Sequence, residues 1–308
     1  MTSLHILGAG ALGSLFAHRA IIAGYDVVLV TRKEEEHREI TLERDSNHLT
    51  HRFRTQCVSD THPITHLLIA TKSYDVLAAT KCISKNLSSG SSVAVLSNGM
   101  GYHDSLNALI PSHDLIAATT TAGCALTSSS AVNGTLHQHY RQSGEGMTFF
   151  GRWAQPADGM PDWLNPLIGS VDQCGWSEDI HSLLIQKLVI NAAINPCTAL
   201  NDIPNGALAT DPWRGQVIQA VEEINGVLSN IHGGAIPGSL QDVVDRVIAD
   251  TAGNISSMLA DVRAHRQTEH EAILGFLLEQ PMSPPQPKVA APLLRSWLEA
   301  LRARARQL

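Results

Sequence analysis

The chain has 308 residues, 44% hydrophobic and 17% charged, with a formal net charge of -7 and five cysteines. That apolar content excludes a disordered chain, and an acidic balance with few aromatics and no basic stretch excludes nucleic acid as the main partner. The cysteines are scattered and form no C-x-x-C pair, and neither a signal peptide nor a bilayer-spanning run is read, so a cytoplasmic protein of about two domains is expected.

Leu4 to Leu7 predicts a short strand. It stops at Gly8-x-Gly10-x-x-Gly13, and a helical pattern with Leu12, Leu15, Phe16 and Ala20 runs on to Gly24. Strand, glycine loop and helix in that order are the context required of a dinucleotide-binding fingerprint. Gly8 permits the tight turn, Gly10 lets the backbone approach a pyrophosphate, and Gly13 lets the helix close on the sheet. The helix N-terminus then offers its amides to the anion. Val27 to Thr31 predicts a second strand, near-continuously apolar as in a parallel sheet covered on both faces. It ends in Thr31-Arg32-Lys33, with no acid where an NAD enzyme holds the ribose hydroxyls. Arg32 suits a 2'-phosphate that an acid would repel, so NADP is favoured over NAD.

Further strands are predicted at Leu67 to Ala70, Val93 to Leu96 and Leu115 to Ala118, then at Asn133 to Tyr140 and Met147 to Phe150 as an antiparallel addition at the sheet edge. Lys72 and Asn98 follow two of these strands at their C-terminal ends, where ligands bind in such sheets. Their plain readings are a surface lysine and an ordinary Asn-Gly turn. His137 and His139 share one strand face, but with 15 histidines such a pair arises by chance, and no metal site is expected.

Near Gly175 the strand-like runs give way to helical patterns over 178–196, 212–231, 239–265, 269–280 and 288–306, with loops at Ile231 to Ser239 and Gln280 to Lys288. The expected fold is α/β: an N-terminal Rossmann-type dinucleotide-binding domain over 1–176, followed by an all-α C-terminal domain over 177–308.

In the first predicted helix of that second domain, Lys187, Asn191 and Asn195 stand at i, i+4 and i+8, one above the other on a face otherwise surrounded by apolar residues. Buried polar groups require partners, so the face reads either as an internally satisfied network or as a ligand surface. Pro196 is expected to end or kink the helix. In the 239–265 pattern, Asn254, Ser257 and Asp261 share one face, and a continuous helix would bring Glu269 to within about 60° of Asn254. Such a stripe is ordinarily the polar edge of a buried face.

Together these residues resemble the 2-dehydropantoate 2-reductase (ketopantoate reductase) family from Gly8 to about Leu278. The matching pieces are Gly8-Ala9-Gly10-Ala11-Leu12-Gly13, Thr71-Lys72, Asn98-Gly99-Met100-Gly101, Thr119-Thr120-Thr121, Lys187 to Pro196, Pro204-Asn205-Gly206, Asn254 to Leu259 and Thr268-Glu269. The resemblance implies NADPH-dependent reduction of 2-dehydropantoate to (R)-pantoate, on the way to pantothenate and coenzyme A. It implies that Lys187 is the general acid and that Glu269 is the acid beside lysine and cofactor. Asn191, Asn195, Asn205, Asn254 and Ser257 become substrate ligands. The loop from Gly8 through Ala9, Gly10, Ala11 and Leu12 to Gly13 binds the cofactor, with Arg32, Lys72, Asn98 and Cys124. The implied partner is a small 2-oxo acid, and the chain a monomer or homodimer. The rivals are a reductase of another branched 2-oxo acid and a non-catalytic NADP-binding regulator. The tail after Gln280 carries no motif.

Overall fold

A computed structural model of the chain describes residues 2–132, 134–154, 158–232, 238–279 and 290–307. The chain forms two compact units, one of Met1–Ser97 with Tyr102–Leu183, the other of Asn98–Gly101 with Leu184–Leu308.

The strands of the first unit are β1 (Ser3–Leu7), β2 (Asp26–Thr31), β3 (His37–Arg44), β4 (Asn47–Cys57), β5 (Ile64–Ile69), β6 (Leu87–Val95), β7 (Asp114–Thr120), β8 (Gly123–Val132), β9 (Thr135–Gly144), β10 (Thr148–Arg152) and β11 (Cys174–Trp176). They form one sheet in the order β11-β10-β7-β6-β5-β1-β2-β4-β3-β9-β8. The middle six, β7-β6-β5-β1-β2-β4, are all parallel. Helices α1 (Ala11–Ile22), α2 (Val76–Ile83), α3 (His103–Leu109) and α4 (Asn165–Ser170) cover its faces. Alternation along the strands divides the core in two. Leu4 and Ile6 of β1 join Leu15 and Phe16 of α1 and Leu167 of α4 on one face. Leu7 joins Val76 of α2 and Leu106 of α3 on the other. This is the doubly wound arrangement expected from the alternating apolar runs.

Of the two strands expected as an antiparallel addition, β10 pairs antiparallel with β7 through Phe149↔Thr119 and Phe150↔Ala118, whereas β9 lies toward the other end of the sheet, parallel to β3 and antiparallel to β8. The strand predicted from Asn133 begins at Thr135, and Asn133 lies outside the described residues. Four strands, β3, β4, β8 and the three-residue β11, went unpredicted. β3 and β4 form a hairpin that extends the parallel core, and β8 is a largely exposed edge strand. None of the four carries the apolar run of a central strand.

The second unit holds α5 (Ile180–Asn201) from Leu184 on, α6 (Trp213–His232), α7 (Leu240–Asp250), α8 (Ser257–Arg263), a π-helical turn (Glu271–Gly275), α9 (Phe276–Glu279) and α10 (Pro292–Ala305). The predicted loops Ile231 to Ser239 and Gln280 to Lys288 lie mostly outside the described residues.

Three expectations are corrected here. First, of the two outcomes expected at Pro196, the helix end is overturned: α5 runs to Asn201 with the proline inside it. A proline in a helix interior costs about 3 kcal/mol. Ala193, Ile194, Cys197 and Ala199 are nevertheless all 2% exposed or less, and burying one large aliphatic side chain alone returns about 2 kcal/mol. Second, the 239–265 pattern is two helices, because Ser256 caps α8 by accepting from the Leu259 amide at 3.1 Å. Asn254 therefore lies in a connection, and no continuous helix relates it to Glu269. Third, α5 is long and apolar enough to cross a membrane by composition, although 61% of its apolar window is buried inside the protein, as in a core helix.

Candidate active site

In the first unit, the strand register sets the glycine loop among its neighbours. Leu7 pairs with Val30 of β2 and with Ile69 of β5. Gly8, Arg32 and Lys72 therefore all follow the C-terminal ends of adjacent parallel strands. Gly8 has φ +98°, and a Cβ there would stand 2.7 Å from the Thr71 amide nitrogen. A Cβ on Gly13 would stand 2.1 Å from the Gly8 carbonyl oxygen. At Gly10 nothing lies within 4 Å of where a Cβ would be. Two glycines are thus consumed by the fold, and the third leaves open space beside the N-terminus of α1. That terminus has Gly10 as its cap, no side-chain cap and no acid in its first turn, so its amides are presented to an anion. Tyr140 steadies the loop by donating to the Ala9 carbonyl at 3.3 Å. The buried Thr71 hydroxyl has no partner among the described residues. This cradle fits a dinucleotide pyrophosphate.

Arg32 is exposed just past β2. Thr31, its neighbour, is buried and donates its hydroxyl to the Lys33 carbonyl at 2.9 Å. Lys72 is the residue before a short 3-10 turn, Ser73–Asp75. Cys124 stands apart from this strand-end set. It is on β8, packed against the core on the α1 side, where burial pushes its thiol up to about 12.

In the second unit, the segment 98–101 comes together with α5 and the π-helical turn. Met100 donates its amide to the Ala272 carbonyl at 2.8 Å. Gly99 has φ +79°, and a Cβ there would come within 2.4 Å of that same oxygen. Both features demand glycine. The docking brings Asn98 between two predicted site residues: Lys187 donates from Nζ to Asn98 Oδ1 at 2.8 Å, and Asn98 donates from Nδ2 to Glu269 Oε2 at 3.0 Å. Glu269 is 6% exposed. Burial pulls the Lys187 ammonium down to about 8, and the Glu269 carboxylate opposes that pull.

Asn191 and Asn195 lie one and two turns beyond Lys187 on α5, Asn195 being buried. Their carboxamides have no hydrogen-bond partner among the described residues, so the internally satisfied network does not form at these two positions. Asn205 begins a 3-10 turn, Asn205–Ala209, and donates from Nδ2 to Thr251 Oγ1 at 2.9 Å, while its buried Oδ1 has no partner. Asn254 meets Asn205 through the backbone, accepting its amide at 2.9 Å, and keeps an exposed side chain. Ser257 is exposed at the first turn of α8, whereas Asp261 is buried and accepts from Arg266 at 3.1 Å. Ser256 was missed. It shares a hydroxyl contact of 2.7 Å with Thr198, which donates to the Asn195 carbonyl at 3.0 Å. A serine just before an apolar run is an N-cap signal, and it would have marked Ser256.

One ammonium, one carboxylate and several unengaged amide groups thus belong to one unit. A buried ammonium pulled down to about 8 can donate a proton near neutral pH, and unengaged amides can hold hydroxyl or carbonyl groups, so this unit by itself suits binding of a polar carbonyl compound.

Residues 4–155 match the family model described as ketopantoate reductase PanE/ApbA, and residues 179–305 match that of its C-terminal domain. The 2-dehydropantoate 2-reductase of Vibrio cholerae is 31% identical over 281 residues, covering 89% of each chain. That of Escherichia coli O157:H7 is 31% identical over 277 residues, covering 89% of this chain and 87% of the relative. Among solved structures, a probable 2-dehydropantoate 2-reductase from Bacillus subtilis superposes with a TM-score of 0.78 at 25% identity, covering 98% of this chain and 99% of that one. A D-mandelate dehydrogenase in complex with NADH and anilino(oxo)acetate shares the fold, with a TM-score of 0.83 at 19% identity over 99% of both chains.

Proposed function

The chain belongs to the ketopantoate reductase family, and on that footing we propose that it reduces 2-dehydropantoate to (R)-pantoate with NADPH, a step toward pantothenate and coenzyme A. The observation that carries the reading is the Lys187–Asn98–Glu269 relay with its lysine near neutrality. The residues up to about 176 supply the dinucleotide cradle, and those from 177 on, with Asn98, supply the catalytic groups.

When bound, the dinucleotide supplies the hydride that reaches the C2 carbonyl carbon. Lys187 stands as the ammonium that stabilises the developing oxyanion and passes its proton to that oxygen. Asn98 orients the ammonium by accepting from it and is itself oriented by Glu269. Asn191 and Asn195, with unengaged carboxamides, hold the substrate's hydroxyl and ketone. The orphaned Asn205 Oδ1 accepts a further hydroxyl proton, Ser257, with backbone donors, holds the carboxylate, and Asn254 is a further substrate ligand. The open space at Gly10 and the amides of α1 receive the pyrophosphate. The exposed Arg32, past a strand that ends without an acid, supports NADPH over NADH.

The test is NADPH oxidation by the purified protein when 2-dehydropantoate is added, beside a panel of other branched 2-oxo acids. Turnover that is fastest on 2-dehydropantoate is expected. A preference for another acid would reassign the substrate, and cofactor binding without turnover on any acid would remove the enzymatic reading.

A further inference from the structure

The C-terminal helix α10 reaches the relay through a residue with no assigned role, Arg302. Its guanidinium meets the Glu271 carboxylate with two parallel bonds, Nε to Oε1 at 2.7 Å and Nη2 to Oε2 at 2.8 Å. It also donates to Glu279, from Nη1 and Nη2 at 2.9 Å each, and to Glu299 at 3.0 Å. Isolated surface ion pairs contribute little, but bidentate arginine–carboxylate networks are the exception. Glu271 opens the π-helical turn and Glu279 closes α9, so one guanidinium spans the whole segment from 271 to 279.

That segment is the seat of the relay. Ala272, one residue after Glu271, receives the Met100 amide and abuts Gly99, the neighbour of Asn98. Glu269 lies two residues before Glu271. The residues flanking it are tied to each other, Thr268 Oγ1 to His270 Nδ1 at 2.8 Å, and His270 Nε2 stands 3.5 Å from Glu271 Oε1. A Cβ on Gly275 would lie 2.6 Å from Glu271 Oε2, so glycine there makes room for the clamped carboxylate. A π-helical turn is a rare conformation that needs support from its surroundings.

We propose that Arg302 is a positioning residue for catalysis: by clamping Glu271 and Glu279 it fixes the π-helical turn, and with it the placement of Glu269 and Ala272 against Asn98 and Lys187. The proposal rests on the reading of Lys187 as proton donor. Without the guanidinium, the carboxylates of Glu271, Glu279 and Glu299 repel one another and the turn relaxes. Among the described residues, Glu269 is the charged group acting on Lys187, and Asn98, facing it from the other segment, is neutral. Displacing Glu269 removes an interaction that favours the ammonium, so Lys187 then releases its proton at lower pH.

Three variants test this: Arg302→Met, Arg302→Lys and Glu271→Gln. Two readouts apply, the pH profiles of kcat and KM, and the pH dependence of Lys187 labelling by an amine-reactive reagent, followed by mass spectrometry without substrate. Arg302→Met should lower kcat roughly ten- to a hundredfold with little change in KM, and should shift the Lys187 titration downward. Arg302→Lys, which keeps the charge without the fork, should recover part of both. Glu271→Gln, which leaves Arg302 on Glu279 and Glu299, should behave like Arg302→Met and decides the matter if that variant does not fold. Wild-type kcat and an unmoved Lys187 titration in Glu271→Gln would overturn the proposal, even with a lowered Tm. A wild-type protein inactive on every 2-oxo acid, with Lys187 labelling still shifted in Arg302→Met, would remove the substrate reading and leave the clamp standing.

Discussion

Lys187 combines two opposing influences, burial and the Glu269 carboxylate, and burial prevails. With a pKa of about 8, the side chain is about nine-tenths ammonium at pH 7. On the proposed reading of Lys187 as proton donor, kcat for reduction should be level below about pH 8 and fall above it. A profile flat to pH 10 would assign the proton elsewhere. Lys187→Ala should lose about a hundred- to ten-thousandfold in kcat while its dinucleotide Kd, measured by fluorescence titration, stays unchanged. The glycines divide in the same way between fold and ligand. Gly10→Ala meets no atom within 4 Å, so its stability should change by no more than a weakened cap allows, about 1 kcal/mol, read as a small shift in Tm, while NADPH binding weakens sharply. Gly13→Ala puts a methyl onto the Gly8 carbonyl and should lower the Tm itself. Arg32→Ala should raise KM for NADPH far more than for NADH, and equal effects would remove the 2'-phosphate role. The glycine loop was legible from residue types because turn, close approach and helix closure demand glycine at fixed offsets. The meeting of Lys187, Asn98 and Glu269 was not, since no local periodicity relates three residues so far apart in the chain. Only the family resemblance named them together.

At the scale of elements, periodicity located helices better than it located their ends. The 239–265 pattern kept its apolar spacing across a real break, because side-chain spacing does not register that a serine hydroxyl has taken a backbone amide. The proline in α5 misled in the opposite direction, since burial outweighed a local penalty. The final helix shows how such ends are secured from a distance. α10 starts at Pro292 with no cap of its own, and buried Glu223 of α6 accepts the Leu293 and Leu294 amides at 3.1 and 2.9 Å. A carboxylate there also meets the positive end of the helix dipole. Glu223→Ala should cost about 1–3 kcal/mol of stability, read as a lower urea midpoint. An unchanged midpoint would make the contact incidental.

For the whole molecule, the parallel core and the helical second half were readable because buried strands and amphipathic helices differ in period. The β3–β4 hairpin and β8 were not, because these strands mix polar and apolar residues without a run, and β11 was not, because three residues are too short to show one. The packing of the segment Asn98–Gly101 went unforeseen, although its residues were singled out: four residues that follow a strand of the first unit belong to the second. Its carboxamide, its glycine and its methionine amide all serve partners whose positions in the chain come much later. A gene hybrid between this protein and a relative, cut once near residue 180, would therefore pair the Asn98 loop of one parent with the lysine, glutamate and π-helical turn of the other. Hybrids that carry residues 98–101 along with the later half should keep turnover better than single-crossover ones. The heritable unit of the proposed active site is thus a discontinuous stretch of sequence, and recombination respects it only with two additional breakpoints.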